Sequence, residues 1–177
     1  MAPHTRLVIQ TIAITLCVLA LGGALLAYGF MMAGFYNIGA TTQHLQPVYS
    51  FLETGMHQSV RFHARKVLVP PLNQDMARKG ARLYAEHCVQ CHGAPGVAPA
   101  GIGMSMQPVP GPLVDAEGKW QDRELYWIVR HGIKMSGMPA WEFRLADDEI
   151  WQLVAFVRKM PGMSPAEYAN QVQEQPQ

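Results

Sequence analysis

Cys88-Val89-Gln90-Cys91-His92 is the stretch of this chain best equipped for chemistry. Two thiols separated by two residues can add across the two vinyl groups of a porphyrin. The imidazole that comes directly after them then stands where it can bind the iron. C-x-x-C-H is the attachment signature of a c-type haem. A bare C-x-x-C would also fit a redox dithiol or half of a zinc site. A zinc ribbon needs a second cysteine pair, whereas the third cysteine here, Cys17, lies inside an apolar run. A thioredoxin-like site needs a strand before it, and the residues before Cys88 read as a helix.

A second ligand candidate lies downstream, Met138 in Ser136-Gly137-Met138-Pro139-Ala140-Trp141. A thioether is a soft donor that suits haem iron, and a Met/His pair raises the reduction potential. Gly137 and Pro139 mark an irregular loop, which can carry a side chain across a haem face. A methionine on a helix stripe is more often packing. Eleven methionines are present, and Met135, Met104 and Met106 also sit in or near loops, so they remain in contention behind Met138.

These residues resemble the class I monohaem cytochromes c. The resemblance rests on Cys88 to His92 and on the loop Gly137-Met138-Pro139-Ala140-Trp141. It also rests on Ala77-Arg78-Lys79-Gly80-Ala81-Arg82-Leu83-Tyr84 leading into the motif, and on the late helix from Asp147 to Val157. It covers roughly residues 73 to 161. It implies an all-α fold around one covalent haem c, attached through Cys88 and Cys91, with His92 and Met138 as axial ligands. It further implies that a backbone carbonyl near Pro108 or Pro110 accepts from the His92 ring nitrogen that faces away from iron.

The first seventy residues need a separate reading. No charged residue occurs from Leu7 to Ala33, about 27 positions against the roughly 20 that cross a bilayer core. A secretory apolar region is shorter, about 7 to 15 residues. Residues 1–33 are therefore expected to form a short cytoplasmic tip and an uncleaved transmembrane anchor. The positive-inside rule is ambiguous, since Arg6 precedes the span and Arg61, Arg65 and Lys66 lie beyond it. Haem attachment on the outer side of the bacterial inner membrane, implied by the resemblance, places the haem domain in the periplasm.

Residues 34–72 read as a juxtamembrane linker with a helix from Val48 to about Val67. Pro47 opens it, Phe51, Leu52, Met56, Val60 and Phe62 approximate helical spacing, and Pro70-Pro71 ends it. His44, His57 and His63 lack a metal-site spacing. Phe51, Phe62 and the basic residues suit a helix lying at a bilayer surface or against a membrane partner.

Residues 73–161 form the expected haem domain, and 162–177 a C-terminal tail. Asn73 should cap a helix from Gln74 to Glu86, and Asp122 one from Arg123 to His131 that turns Leu125, Trp127 and Ile128 toward the porphyrin. A last helix from Asp147 to Lys159 has acids at its start, Arg158-Lys159 at its end, and a stripe of Ile150, Trp151, Val154 and Val157. Gly80 and Tyr84 should meet Trp151, Ala155 or Phe156. The Gly- and Pro-rich stretch from Gly93 to Gly118 reads as haem-wrapping coil. His131, before Gly132 at a helix end, reads as a helix-end cation rather than a ligand.

Hydrophobic residues make up 49% of the chain and charged ones only 15%, lean for a protein surrounded by water. Residues 1–72 carry four cations against Glu53, a formal +3, which leaves −2 for the remainder of a chain of net charge +1. No concentrated basic patch suggests nucleic acid. With both axial positions filled, iron has no site open to substrate. The expected function is single-electron transfer rather than catalysis, in a bacterial respiratory or dehydrogenase chain. A membrane redox complex or dehydrogenase would be the donor and an oxidase or other cytochrome the acceptor. A haem-based gas or redox sensor is the alternative, and would need an easily displaced sixth ligand. A peroxidase would need an open iron face.

Overall fold

The chain from Pro3 to Met32 winds into a single helix, α1. In the computed structural model residues 3–115 and 118–173 are described. The ends of the expected tip and tail, and residues 116–117 of the wrapping coil, lie outside them. Thirty helical residues extend about 45 Å, more than the roughly 30 Å of a bilayer's hydrocarbon core. Leu16, Leu19, Leu21, Leu25 and Leu26 along α1 are all exposed. A helix apolar on every side needs a nonaqueous surround. The length and hydropathy of α1 suffice to cross a membrane.

The first structural unit ends at Thr42 and the second begins at Gln43. The second unit contains α2 (Gln46–Ala64), α3 (Gln74–His87), α4 (Val89–His92), α5 (Gly101–Met104), α6 (Asp122–His131), α7 (Asp147–Lys159) and α8 (Pro165–Gln173). Short 3-10 turns occupy Leu113–Asp115 and Trp141–Phe143. Every regular element among the described residues is helical, as the all-α reading expects.

The centre of the unit is the crossing of α3 over α7. Gly80 makes it possible. A Cβ at this position would come within 2.0 Å of the Gln152 carbonyl oxygen and 3.0 Å of the Phe156 Cβ. Backbone therefore rests on backbone. One turn further along α3, Tyr84 is fully buried, its ring 5.2 Å from Phe156. Its hydroxyl donates to the Gly93 carbonyl at 2.7 Å, tying α3 to the chain just past His92. Of the partners expected for Gly80 and Tyr84 (Trp151, Ala155 or Phe156), Phe156 is the one these contacts show, while Trp151 has a partner elsewhere. It turns to α6 and stacks on Tyr126 at 4.2 Å. Leu153, Ala155 and Phe156 are buried together with Ile150, Trp151, Val154 and Val157, so α7 is enclosed beyond the expected single stripe.

Capping matches the sequence closely in one helix and departs from it in another. Asn73 accepts from the Met76 amide at 2.9 Å, as anticipated. Helix α6 begins one residue early, at Asp122, and its cap is Gln121, whose amide donates to Glu124. Asp122 is left to pair with Arg158 from α7, which also reaches the Trp120 carbonyl.

Two segments outside the expected haem domain belong to this folded unit. Helix α2 runs Gln46–Ala64, shorter than expected at its far end, and packs on α6 through fully buried Val60 and Ala64. The imidazole of His57 stacks on Trp120 at 4.4 Å, and that of His63 on Trp127 at 5.7 Å. Trp127 thus faces α2 rather than turning with Leu125 and Ile128. The expected tail is helical over Pro165–Gln173 and buries Tyr168 beside Phe156. Its start has a sequence signature. Ser164 accepts from the Glu167 amide while Glu167 accepts from the Ser164 amide, with Pro165 in the first turn.

Gly80→Ala should lower stability by about 1–3 kcal/mol or prevent folding, since backbone cannot yield as a side chain can. Tyr84→Phe should cost about 1–3 kcal/mol, because the Gly93 carbonyl loses its buried donor. Denaturant unfolding measures both. Burial, then Lys119, holds the His57 pKa below its ordinary value, and Arg61 adds to this while Glu53 and Glu124 oppose it. The unfolded chain then binds the proton more readily than the folded one. The stability this group contributes is full above about pH 6.5 and is lost as pH falls below it. Hydrogen exchange in α2 should accordingly quicken, relative to α7, on acidification through that range.

Candidate functional site

The attachment motif grows directly out of α3. The Cys88 amide donates to the Tyr84 carbonyl at 2.9 Å and ends the helix. The Cys91 and His92 amides both donate back to the Cys88 carbonyl, at 3.1 and 3.0 Å, which winds α4 into one turn. Cys88 and Cys91 are three residues apart on that turn and therefore share a side. Neither is in a disulfide. Burial, and then Cys91, push the Cys88 thiol up to about 12. Gly93, at φ +65°, lets the chain leave α4 sharply.

Helix α5 lies against this turn. A Cβ on Gly103 would sit 2.8 Å from the Cys91 Cα, and the Ala100 amide donates to the Gln90 carbonyl at 2.9 Å. The wrapping coil also orients His92. Its Nδ1 lies 2.9 Å from the Gly111 carbonyl oxygen, next to Pro110. A carbonyl only accepts, so Nδ1 carries the proton and Nε2 keeps its lone pair for a metal. Two thiols on one helical face, with an imidazole beside them whose Nδ1 is engaged by a carbonyl and whose Nε2 is left for a metal, fit a covalently held haem.

The Met138 loop leaves α6 at Gly132, φ +65°, where a Cβ would strike the Met138 carbonyl oxygen at 2.7 Å. Its neck is closed by the Ile133 amide donating to that carbonyl at 3.3 Å. Ser136 Oγ accepts from the Met138 amide and donates to the Ile133 carbonyl. Of the methionines in contention, Met104 and Met135 are largely exposed, and Met135 has φ +59°. Met106 and Met138 are half-buried, and the Met106 sulfur packs on Gly137. Beyond the loop, Trp141 is buried against His87, 5.0 Å between rings, at the end of the helix that delivers Cys88.

Sequence reasoning missed the polar cluster at the base of this loop. Arg130 donates to Tyr126 Oη at 2.8 Å and pairs with Glu142 at 3.3 Å and with Asp147 at 3.0 Å. His131 Nδ1 lies 3.2 Å from the other Glu142 oxygen. Hydrogen bonds from His131 and Arg130 hold the Glu142 carboxyl below the usual glutamate range. No spacing rule links residues 130, 131, 142 and 147, which meet only through the turn of the chain. His131 is thus engaged with a carboxylate. His57 and His63 are engaged with tryptophans, while His44 is half-buried just before α2.

Residues 75–157 match the family model described as cytochrome c oxidase, cbb3-type, subunit III. A cbb3-type cytochrome c oxidase subunit, FixP of Rhizobium meliloti (strain 1021), is 26% identical over 123 residues. That alignment covers 67% of this chain and 39% of the relative, so the chain spans about two fifths of the length of the curated relative it matches. The family implies haem c with iron as cofactor. A helical domain built around a C-x-x-C-H turn, matched over residues 75–157 by this family model and joined in one chain to a membrane-length apolar helix, supports reading the protein as a membrane-anchored bacterial c-type cytochrome.

Proposed function

We propose that this protein carries single electrons between partners in a bacterial respiratory or dehydrogenase chain, through one haem attached to Cys88 and Cys91 and ligated by His92 and Met138. The iron, when bound, supplies a ferrous–ferric couple. The chain's own residues supply the rest. The observation that carries the reading is the hydrogen bond from His92 to the Gly111 carbonyl, which leaves Nε2 as the only ring nitrogen able to bind iron. Met138 is favoured over Met135 and Met104 because those two side chains point largely to solvent. A loop tied at both ends suits a permanently bound sixth ligand, which distinguishes a carrier from a gas sensor or an oxidising enzyme.

The anchor would confine the domain to the plane of the inner membrane, with the haem domain in the periplasm, and raise its effective concentration near membrane complexes. A cbb3-type oxidase, named for the relative FixP, is one acceptor of the right kind. A membrane dehydrogenase or redox complex is a suitable donor. On α2, Phe51 and Phe62 are exposed and the Arg65 guanidinium lies 3.9 Å above the Phe62 ring. That combination suits an apolar, anionic surface such as the bilayer.

Cys88→Ala together with Cys91→Ala should yield a polypeptide that loses all its haem on acid denaturation, while the wild type stays coloured. Met138→Ala should lower the reduction potential and allow the reduced protein to bind carbon monoxide, which the wild type should not do. Copurification with a respiratory complex from native membranes would identify the partner.

A further inference from the structure

We propose that Glu142 is a positioning residue for Met138, acting as a clasp across the base of the loop that carries it. The inference rests on the reading of Met138 as the axial ligand. Between Gly132 and Ala140 the loop is bonded mainly to itself, through Ile133, Ser136 and Met138. Such bonds shape the loop without holding it to the domain. Beyond the Met106 sulfur packed on Gly137, polar and aromatic attachment comes from the two residues at its exit. Trp141 is buried, and Glu142 reaches back to Arg130 with Oε2 and to His131 with Oε1. Those two basic residues are the last of α6, immediately before the chain departs into the loop. One carboxylate therefore joins the loop's entrance to its exit.

The two partners of Glu142 differ in what else they hold. Arg130 is itself fixed by Asp147 at the start of α7 and by the Tyr126 hydroxyl, whose ring stacks on Trp151. The clasp is consequently anchored to the helix crossing that also delivers Cys88. The Glu142 side chain remains 30% exposed, so replacing it hollows no core. Removing the clasp leaves every contact of Met138 itself in place and raises only the fraction of time the loop spends displaced. An external ligand that competes for iron senses that fraction directly, because its apparent affinity scales with the population of the open form.

The test is imidazole binding to the full-length ferric protein in detergent, monitored by the weak red-edge absorption band of methionine-ligated ferric haem. Glu142→Gln and Glu142→Ala should bind imidazole roughly five- to tenfold more tightly than wild type, a figure discounted for the partial exposure of the pair. The band should also be lost at lower temperature than the helical signal. Asp122→Asn removes the α6–α7 ion pair with Arg158, which touches neither the loop nor Glu142 and its partners, and serves as the control. It should change global stability but not imidazole affinity. The proposal is overturned if Glu142 variants bind imidazole as wild type does, or if Asp122→Asn tightens binding equally, which would mean general loosening. Met138→Ala separates the two levels. If it retains the band and wild-type imidazole affinity, the axial assignment itself has failed. If it loses both while the Glu142 variants remain unaltered, only the clasp has failed.

Discussion

Where α3 crosses α7, main chain lies on main chain, and the rest of the haem domain is arranged by that contact. Only a residue without a side chain admits a carbonyl so close, and Gly80 is that residue. The crossing fixes the direction in which α3 emerges at Cys88. It also fixes the start of α7, where Asp147 receives Arg130. The attachment turn and the base of the Met138 loop are therefore referred to one pair of helices. Electron carriers gain from such rigidity, since a redox centre that reorganises little on gaining an electron exchanges it readily.

Around this crossing the polar and aromatic contacts divide their tasks. Tyr84 links the core to Gly93, the residue after His92, while Gly111 sets the His92 tautomer. Trp141 pins the far end of the loop to His87. Trp127 lies between His63 of α2 and His131 of α6, so the first helix of this unit touches the same side-chain network that closes the loop. Burial makes the tyrosine hydroxyl hold its proton far more firmly than usual, which keeps it a donor throughout the working range.

Chemistry that must be contiguous was legible in the sequence. Thioether attachment demands two cysteines one helical turn apart with a histidine alongside, so Cys88, Cys91 and His92 stand out as candidates without a fold. The membrane-length helix was legible because nothing charged interrupts it, and Asn73 because its cap bond is local. The docking of α2 was not legible, since its stacked pairs His57–Trp120 and His63–Trp127 join residues far apart in the chain and leave no period. The direction of Trp127 was hidden for the same reason. Helix α8 carried a local signal, Ser164 and Glu167 around Pro165, but in a stretch too polar to suggest a packed helix. Among four methionines in or near loops, spacing favoured Met138 without deciding between them.

X-ray absorption at the iron edge of the purified full-length protein tests the central claim most directly, because it counts the donor atoms around the metal. Nitrogen donors together with one sulfur are expected in both oxidation states, the sulfur disappearing when Met138 is replaced. A shell of nitrogen alone, or a sulfur that survives that replacement, would contradict the account.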